Sequence, residues 1–235
     1  MPEVNFLDSA KQCCENSRRL LDEAELLEFE KILSTRYYLS MIAQEESAKA
    51  FLLYLVGVNV LPWTPFILRA TRDHQCKQLV GIILDYISPD IEEFLRRLDT
   101  WKPGENPPAL PANVADAINL LRHEKIKRWE SKNWWWAEDP DYDKAALRVA
   151  NGMRDKEKQR ALYVELRQNG EIISTPEQVT EKQSNDEYER ACRVETCVRN
   201  LVELRTHFAW DYERVEDCFR VLFSELNVSI ESEKS

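Results

Sequence analysis

Three charged residues within five positions, Glu45, Glu46 and Lys49, stand in a stretch whose members at helical spacing, Ile42, Leu53 and Val56, are apolar. Offsets of three and four residues return to one side of an α-helix, so these positions share a stripe that otherwise suits a core. Lys49 lies four residues after Glu45, the favourable direction for a helical ion pair, and three after Glu46. One lysine cannot neutralise two buried carboxylates, so a further cation from another helix is required. The run Arg69-Ala-Thr-Arg72-Asp-His74-Gln-Cys-Lys77 offers one. Read as a single helix, it makes neighbours of Arg69 and Arg72 and of His74 and Lys77, and Asp73 is four from both Arg69 and Lys77. Arg72 and His74, two apart, point different ways, so one of those pairs at most meets the glutamates. An imidazole beside a carboxylate and a cation is equipment for moving a proton and steadying an anion. The plainer alternative is that the Glu/Lys pairs fix helix register and His74 is a hydrogen-bonded core or surface residue.

The elements that must position these residues are helical. Apolar residues recur at helical spacing from Asn5 to about Ile32, and Ser34 and Thr35 offer N-cap oxygens for a second helix that stops near Gly57, forming an antiparallel hairpin with the first. Thr64-Pro65 is a cap followed by a first-turn proline and opens a third helix to about Ile87. Ser88-Pro89 repeats the device, with Asp90, Glu92 and Glu93 in the first turn. Residues 102–111 read as a loop, and a helix follows from Asn113 to about Trp136. Asn169-Gly170 between Ala161–Leu166 and Glu171–Ile173 predicts a small β-hairpin. Thr175 to Gln178 has the form of a capping box, and a long final helix spans about 186–226. The fold class is therefore all-α, one domain over residues 1–228 with a flexible tail at 229–235.

Composition narrows the function classes. A net charge of −10 over 235 residues opposes indiscriminate binding to nucleic acid or anionic membrane. The charge is uneven, however: residues 122–167 hold 12 Lys/Arg against 9 Asp/Glu. There, Trp129, Trp134, Trp135 and Trp136 lie among Arg128, Lys125, Lys127 and Lys132. Interleaved aromatics and cations suit a single-stranded RNA platform, and they suit a core or a subunit interface as well. The six cysteines form no C-x-x-C pair and read as reduced thiols. No leader or membrane-length apolar run is present, which predicts a cytoplasmic protein without membrane association. Paired carboxylates suggest di-iron bundles, yet none of the three histidines has a Glu three residues before it, so neither a metal nor another cofactor is expected.

The Glu45-Glu46-x-x-Lys49-Ala segment, the later His74-x-x-Lys77 segment, and the run Lys158-Gln-Arg-Ala-Leu-Tyr-Val164 followed by Gly170 and Pro176 resemble the AbiV group of bacterial abortive-infection proteins, over about residues 16–190. AbiV proteins are assigned to the HEPN superfamily. The resemblance implies an antiparallel HEPN-like helical bundle, a role against phage, and an assembly as a homodimer. Many HEPN members are metal-independent endoribonucleases whose signature is an Arg, four to six residues, then a His. Arg69 to His74 has that spacing, whereas the final helix offers Arg199-Asn200 with His207 one residue beyond the longest allowed. On this resemblance His74 is the general acid/base, Arg69 or Arg72 the phosphate stabiliser, and Glu45, Glu46, Lys49 and Lys77 the orienting network. Arg128, Lys132, Trp134, Trp135 and Trp136 are the candidate contacts to RNA or a partner. The alternative function is a catalytically silent helical module that binds a phage or host protein.

Overall fold

The computed structural model describes residues 5–100, 109–131, 141–205 and 211–232, with side chains through Phe223. Helix α1 (Phe6–Phe29) begins on Asn5, whose side-chain oxygen accepts from the N–H groups of Leu7 and Asp8. It turns back into α2 (Leu33–Gly57). A Cβ on Gly57 would stand 2.7 Å from Leu7 Cδ2, so the end of α2 lies against the start of α1, as an antiparallel hairpin demands. Ile32, without a side-chain cap, precedes α2, and Ser34 and Thr35 fall inside the helix rather than at its cap.

The expected third helix is two helices. α3 (Pro65–Ala70) is capped by Thr64 at 3.2 Å, and α4 (His74–Ile87) by Asp73, whose carboxylate accepts from Cys76 N–H at 2.9 Å. The Asp73 cap restarts the chain, so Arg69 and His74 belong to different helices. α5 (Ile91–Thr100) is capped by Asp90, not Ser88. α6 (Ala112–Asn119) runs through eight residues of wider π winding (Leu120–Lys127) into α7 (Arg128–Glu130). Next come α8 (Lys144–Ala150) and α9 (Met153–Arg160), in a stretch whose sequence has no clear amphipathic pattern.

Strands β1 (Glu165–Leu166) and β2 (Ile172–Ser174) make the predicted antiparallel hairpin, with Leu166 opposite Ile172. Its turn spans Arg167–Gly170, longer than a two-residue turn, with Gly170 at φ 84°. The capping box is at Thr180 and Gln183, opening α10 (Glu181–Leu204), while Thr175 leads only a 3₁₀ turn at Pro176–Gln178. Arg205, at φ 50°, ends α10, and α11 (Tyr212–Ser232) follows, so the expected final helix is also two and reaches into the stretch anticipated as a tail.

Around the second half of α2, Phe51, Leu52 and Leu55 pack with Leu79, Ile83 and Leu84 of α4, Val194 and Val198 of α10, Phe219 of α11 and Ile118 of α6 in one apolar core. The architecture is the expected all-α bundle with a small hairpin. No helix among the described residues is long and apolar enough to cross a membrane. All six cysteines are free thiols.

Candidate active site

Consecutive residues on a helix diverge by about 100°, and Glu45 and Glu46 accordingly face different neighbours. Glu46 faces α1, accepting from Asn16 Nδ2 at 3.1 Å and lying 3.5 Å from Lys49 Nζ. Lys49 is thus the partner of Glu46, and the expected Glu45–Lys49 pair does not form. Glu45 faces α4 and α9 and its side chain is 4% exposed.

On α4, His74, Lys77 and Gln78 stand at offsets of three and four and present one face to Glu45. Glu45 Oε2 lies 2.5 Å from His74 Nδ1 and 2.9 Å from Lys77 Nζ. Its other oxygen, Oε1, accepts from Gln78 Nε2 at 3.1 Å and from Lys158 Nζ at 2.7 Å. Every side of this carboxylate has a partner, as a buried charge requires. The cations called for by the glutamate pair are Lys77, which helical spacing pointed to, and Lys158.

Lys158 comes from α9, 113 residues away in sequence. Its ammonium also lies 2.9 Å from Asp155 Oδ1 and 3.1 Å from His74 Nδ1. Burial works against its charge, but the bonds to Glu45 and Asp155 outweigh burial and raise its pKa above the ordinary lysine value. Burial likewise pushes the Glu45 carboxyl up, and Lys77 and Lys158 overcome it, holding the acid at about 2. The Glu45 carboxylate and the Lys158 ammonium are therefore both held in their charged forms, with Lys77 of α4 and Asp155 of α9 as their further ion-pair partners.

Two lone pairs 2.5 Å apart would repel, so the contact between Nδ1 and Glu45 places the imidazole proton on Nδ1. In the neutral ring Nε2 is then the accepting nitrogen, and it makes no hydrogen bond among the described residues. The His74 side chain is 52% exposed. A carboxylate behind the ring and an open nitrogen in front is the arrangement that lets an imidazole take up a proton and be stabilised as the cation.

The remaining candidates are dispersed. The Arg69 guanidinium, at the end of α3, stacks on the Trp129 ring at 4.2 Å, and Trp129 packs against the core. Arg72 is exposed in the turn before α4 and makes no side-chain hydrogen bond or ion pair among the described residues. Since that turn is not helical, the helical argument separating Arg72 from His74 does not apply there. Arg128 is paired with Glu124 at 2.6 Å. Lys132, Trp134, Trp135 and Trp136, like His207, lie outside the described residues.

Sequence spacing missed Gln78, Asp155 and Lys158 as members of the site. Gln78, four after His74, was within reach of helical geometry. Asp155 and Lys158 sit three apart on α9, but nothing local connects them to α2. Among the described residues, Glu45, His74 and Asp155 are the one group of three with donor atoms close enough, within 4.8 Å of one another, to hold a metal ion. A separate shallow concavity lies at the start of α1 and the end of α10, lined by Asn5, Asp8, Lys11 and Glu203 among others, with no residue of the Glu45 cluster.

The family model for AbiV, a HEPN group, matches residues 5–196, which include every member of the cluster. No curated protein and no solved structure matches the chain.

Proposed function

This chain belongs to the AbiV family of the HEPN superfamily, and we propose that it acts against phage as an endoribonuclease that needs no metal ion, with His74 as its general acid/base. The observation that carries the reading is the Glu45–His74 contact at 2.5 Å beneath a half-exposed imidazole. In this mechanism Nε2 of His74 takes the proton of an RNA 2′-hydroxyl. The oxygen attacks the adjacent phosphorus, the 5′-oxygen leaves and is protonated by the imidazolium, and a 2′,3′-cyclic phosphate remains. Glu45 stabilises the transient imidazolium, a role worth several powers of ten in carboxylate-backed histidines. Arg72, two residues before the ring and exposed, stabilises the phosphate charge, whereas Arg69 is engaged with Trp129. A homodimer, in which two bundles form a shared cleft, is the working assembly under this reading.

The test is cleavage of RNA by purified protein in excess chelator. His74→Ala should lower the rate by about 10²-fold or more, with the fold intact by circular dichroism. Equal rates for both proteins would remove His74 from the mechanism.

The saturation of Glu45 by four partners favours a second reading, a catalytically silent module that acts by binding a phage or host protein. Under it, His74→Ala protects cells as well as the parent protein in a phage plating assay, and substitutions at Trp134 to Trp136 abolish protection. The enzyme reading requires the reverse for His74.

A further inference from the structure

We infer that Lys158 is the site's own cation, its ammonium filling the seat among Glu45, His74 and Asp155 that a divalent metal would take, and that it thereby positions the imidazole. The three donors lie within 4.8 Å of one another, and Lys158 Nζ stands 2.7, 3.1 and 2.9 Å from Glu45, His74 and Asp155 respectively. The Glu45 and Asp155 carboxylates bind the ammonium, while the His74 Nδ1–H stands beside it and donates to Glu45, so Nζ occupies the place that a metal held by the three side chains at about 2.0–2.2 Å would take. Charge agrees with geometry. The two carboxylates, Glu45 and Asp155, are matched one for one by the ammonium groups of Lys77 and Lys158. A divalent ion added to that set would leave an unbalanced charge of +2 beside a 4%-exposed carboxylate.

The cation is delivered by a helix that has little else to bury. On α9 (Met153–Arg160) Lys158 is the one buried side chain. Docking α9 therefore carries the ammonium to its seat. Lys158 acts through Glu45 and His74 rather than on a substrate, which makes it a positioning residue. That role rests on His74 being the acid/base. The occupied seat does not, and it is read without RNA.

The experiment is a Co²⁺ titration of the full chain, followed by visible absorbance and by calorimetry, on the parent protein, Lys158→Ala and Lys158→Met. The parent should show no stoichiometric site, while Lys158→Ala gains one Co²⁺ per chain at least about 100-fold tighter. Adding Asp155→Asn to Lys158→Ala should abolish that gain. Stoichiometric Co²⁺ binding by the parent, lost in Asp155→Asn, overturns the inference, because the metal would then displace the ammonium. Folded Lys158→Ala with no gain in affinity overturns it too. Should neither variant fold, the parent decides by imidazole NMR. His74 signals that stay fixed on adding Zn²⁺, with the Nδ1–H tautomer, support the filled seat, and signals that shift to a metal-bound form refute it. In chelator, Lys158→Arg should retain cleavage and Lys158→Met lose about tenfold or more. Loss in both with the metal result intact would remove the positioning role and leave the seat.

Discussion

At the residue scale, Glu45 joins stability to chemistry. Its folded pKa is depressed from the ordinary 4.5 to about 2, so its contribution is fully present above about pH 4.5 and is lost as pH falls toward 2. The size is on the order of 3 kcal/mol. Urea unfolding of the parent should weaken steeply between those limits, and Glu45→Gln should be less stable at pH 7 with a flatter acid dependence. Parallel curves for the two proteins would show that Glu45 is not held ionised. His74, half-exposed, adds little to this stability, which is what allows His74→Ala to probe function. How much of this was legible differs residue by residue. Helical spacing named Glu45, His74 and Lys77, because offsets of three and four are read directly from sequence. It mispaired Lys49, since the two adjacent glutamates face opposite neighbours. It could not reach Lys158, whose partner is more than a hundred residues away and is brought near only by the tertiary fold.

At the element scale, α9 is held largely by polar contacts. Lys158 ties it to α2, and Arg154 ties it to Glu187 of α10, which also accepts from Gln44 at 2.6 Å. Gly152 sets its entry with φ 79°, and a Cβ there would stand 2.8 Å from Gln75 Nε2. Gly152→Ala should therefore cost about 1–2 kcal/mol and speed amide exchange across 153–160 more than across α2. Unchanged exchange in α9 would mean that the turn does not control its docking. On α10, Glu195 is fully buried, and burial raises its carboxyl pKa, only partly opposed by Arg199 at 3.0 Å. A raised folded pKa favours the fold at low pH and opposes it once the acid ionises. Glu195→Gln is accordingly expected to raise Tm at pH 7 by about 2–4 °C; a lowered Tm would indicate that the Arg199 contact outweighs burial. These elements explain where helix prediction stopped. α9 carries charge on most faces, so periodicity had nothing to detect, and Asp73 and Arg205 divide stretches whose apolar pattern continues across the break.

At the scale of the whole molecule, a central α2 packed between α1, α4 and α10 presents Glu45 at the end of its most buried half. The apolar core fixes α2 and α4 relative to each other, and the polar cluster beside it is completed by α9. All-α composition and the hairpin were legible throughout, because scarce glycine and helical periodicity act over many residues at once. The convergence of α2, α4 and α9 was not, because it belongs to topology. A net charge of −10 opposes long-range attraction of RNA, so substrate binding under the proposed function must come from local contacts near the imidazole. The most direct measurement is end-group analysis of RNA cut in excess chelator by the parent protein and by His74→Ala. The parent should leave 2′,3′-cyclic phosphate and 5′-hydroxyl ends and the variant almost none; the same ends at the same rate from both would show that His74 does not move the proton.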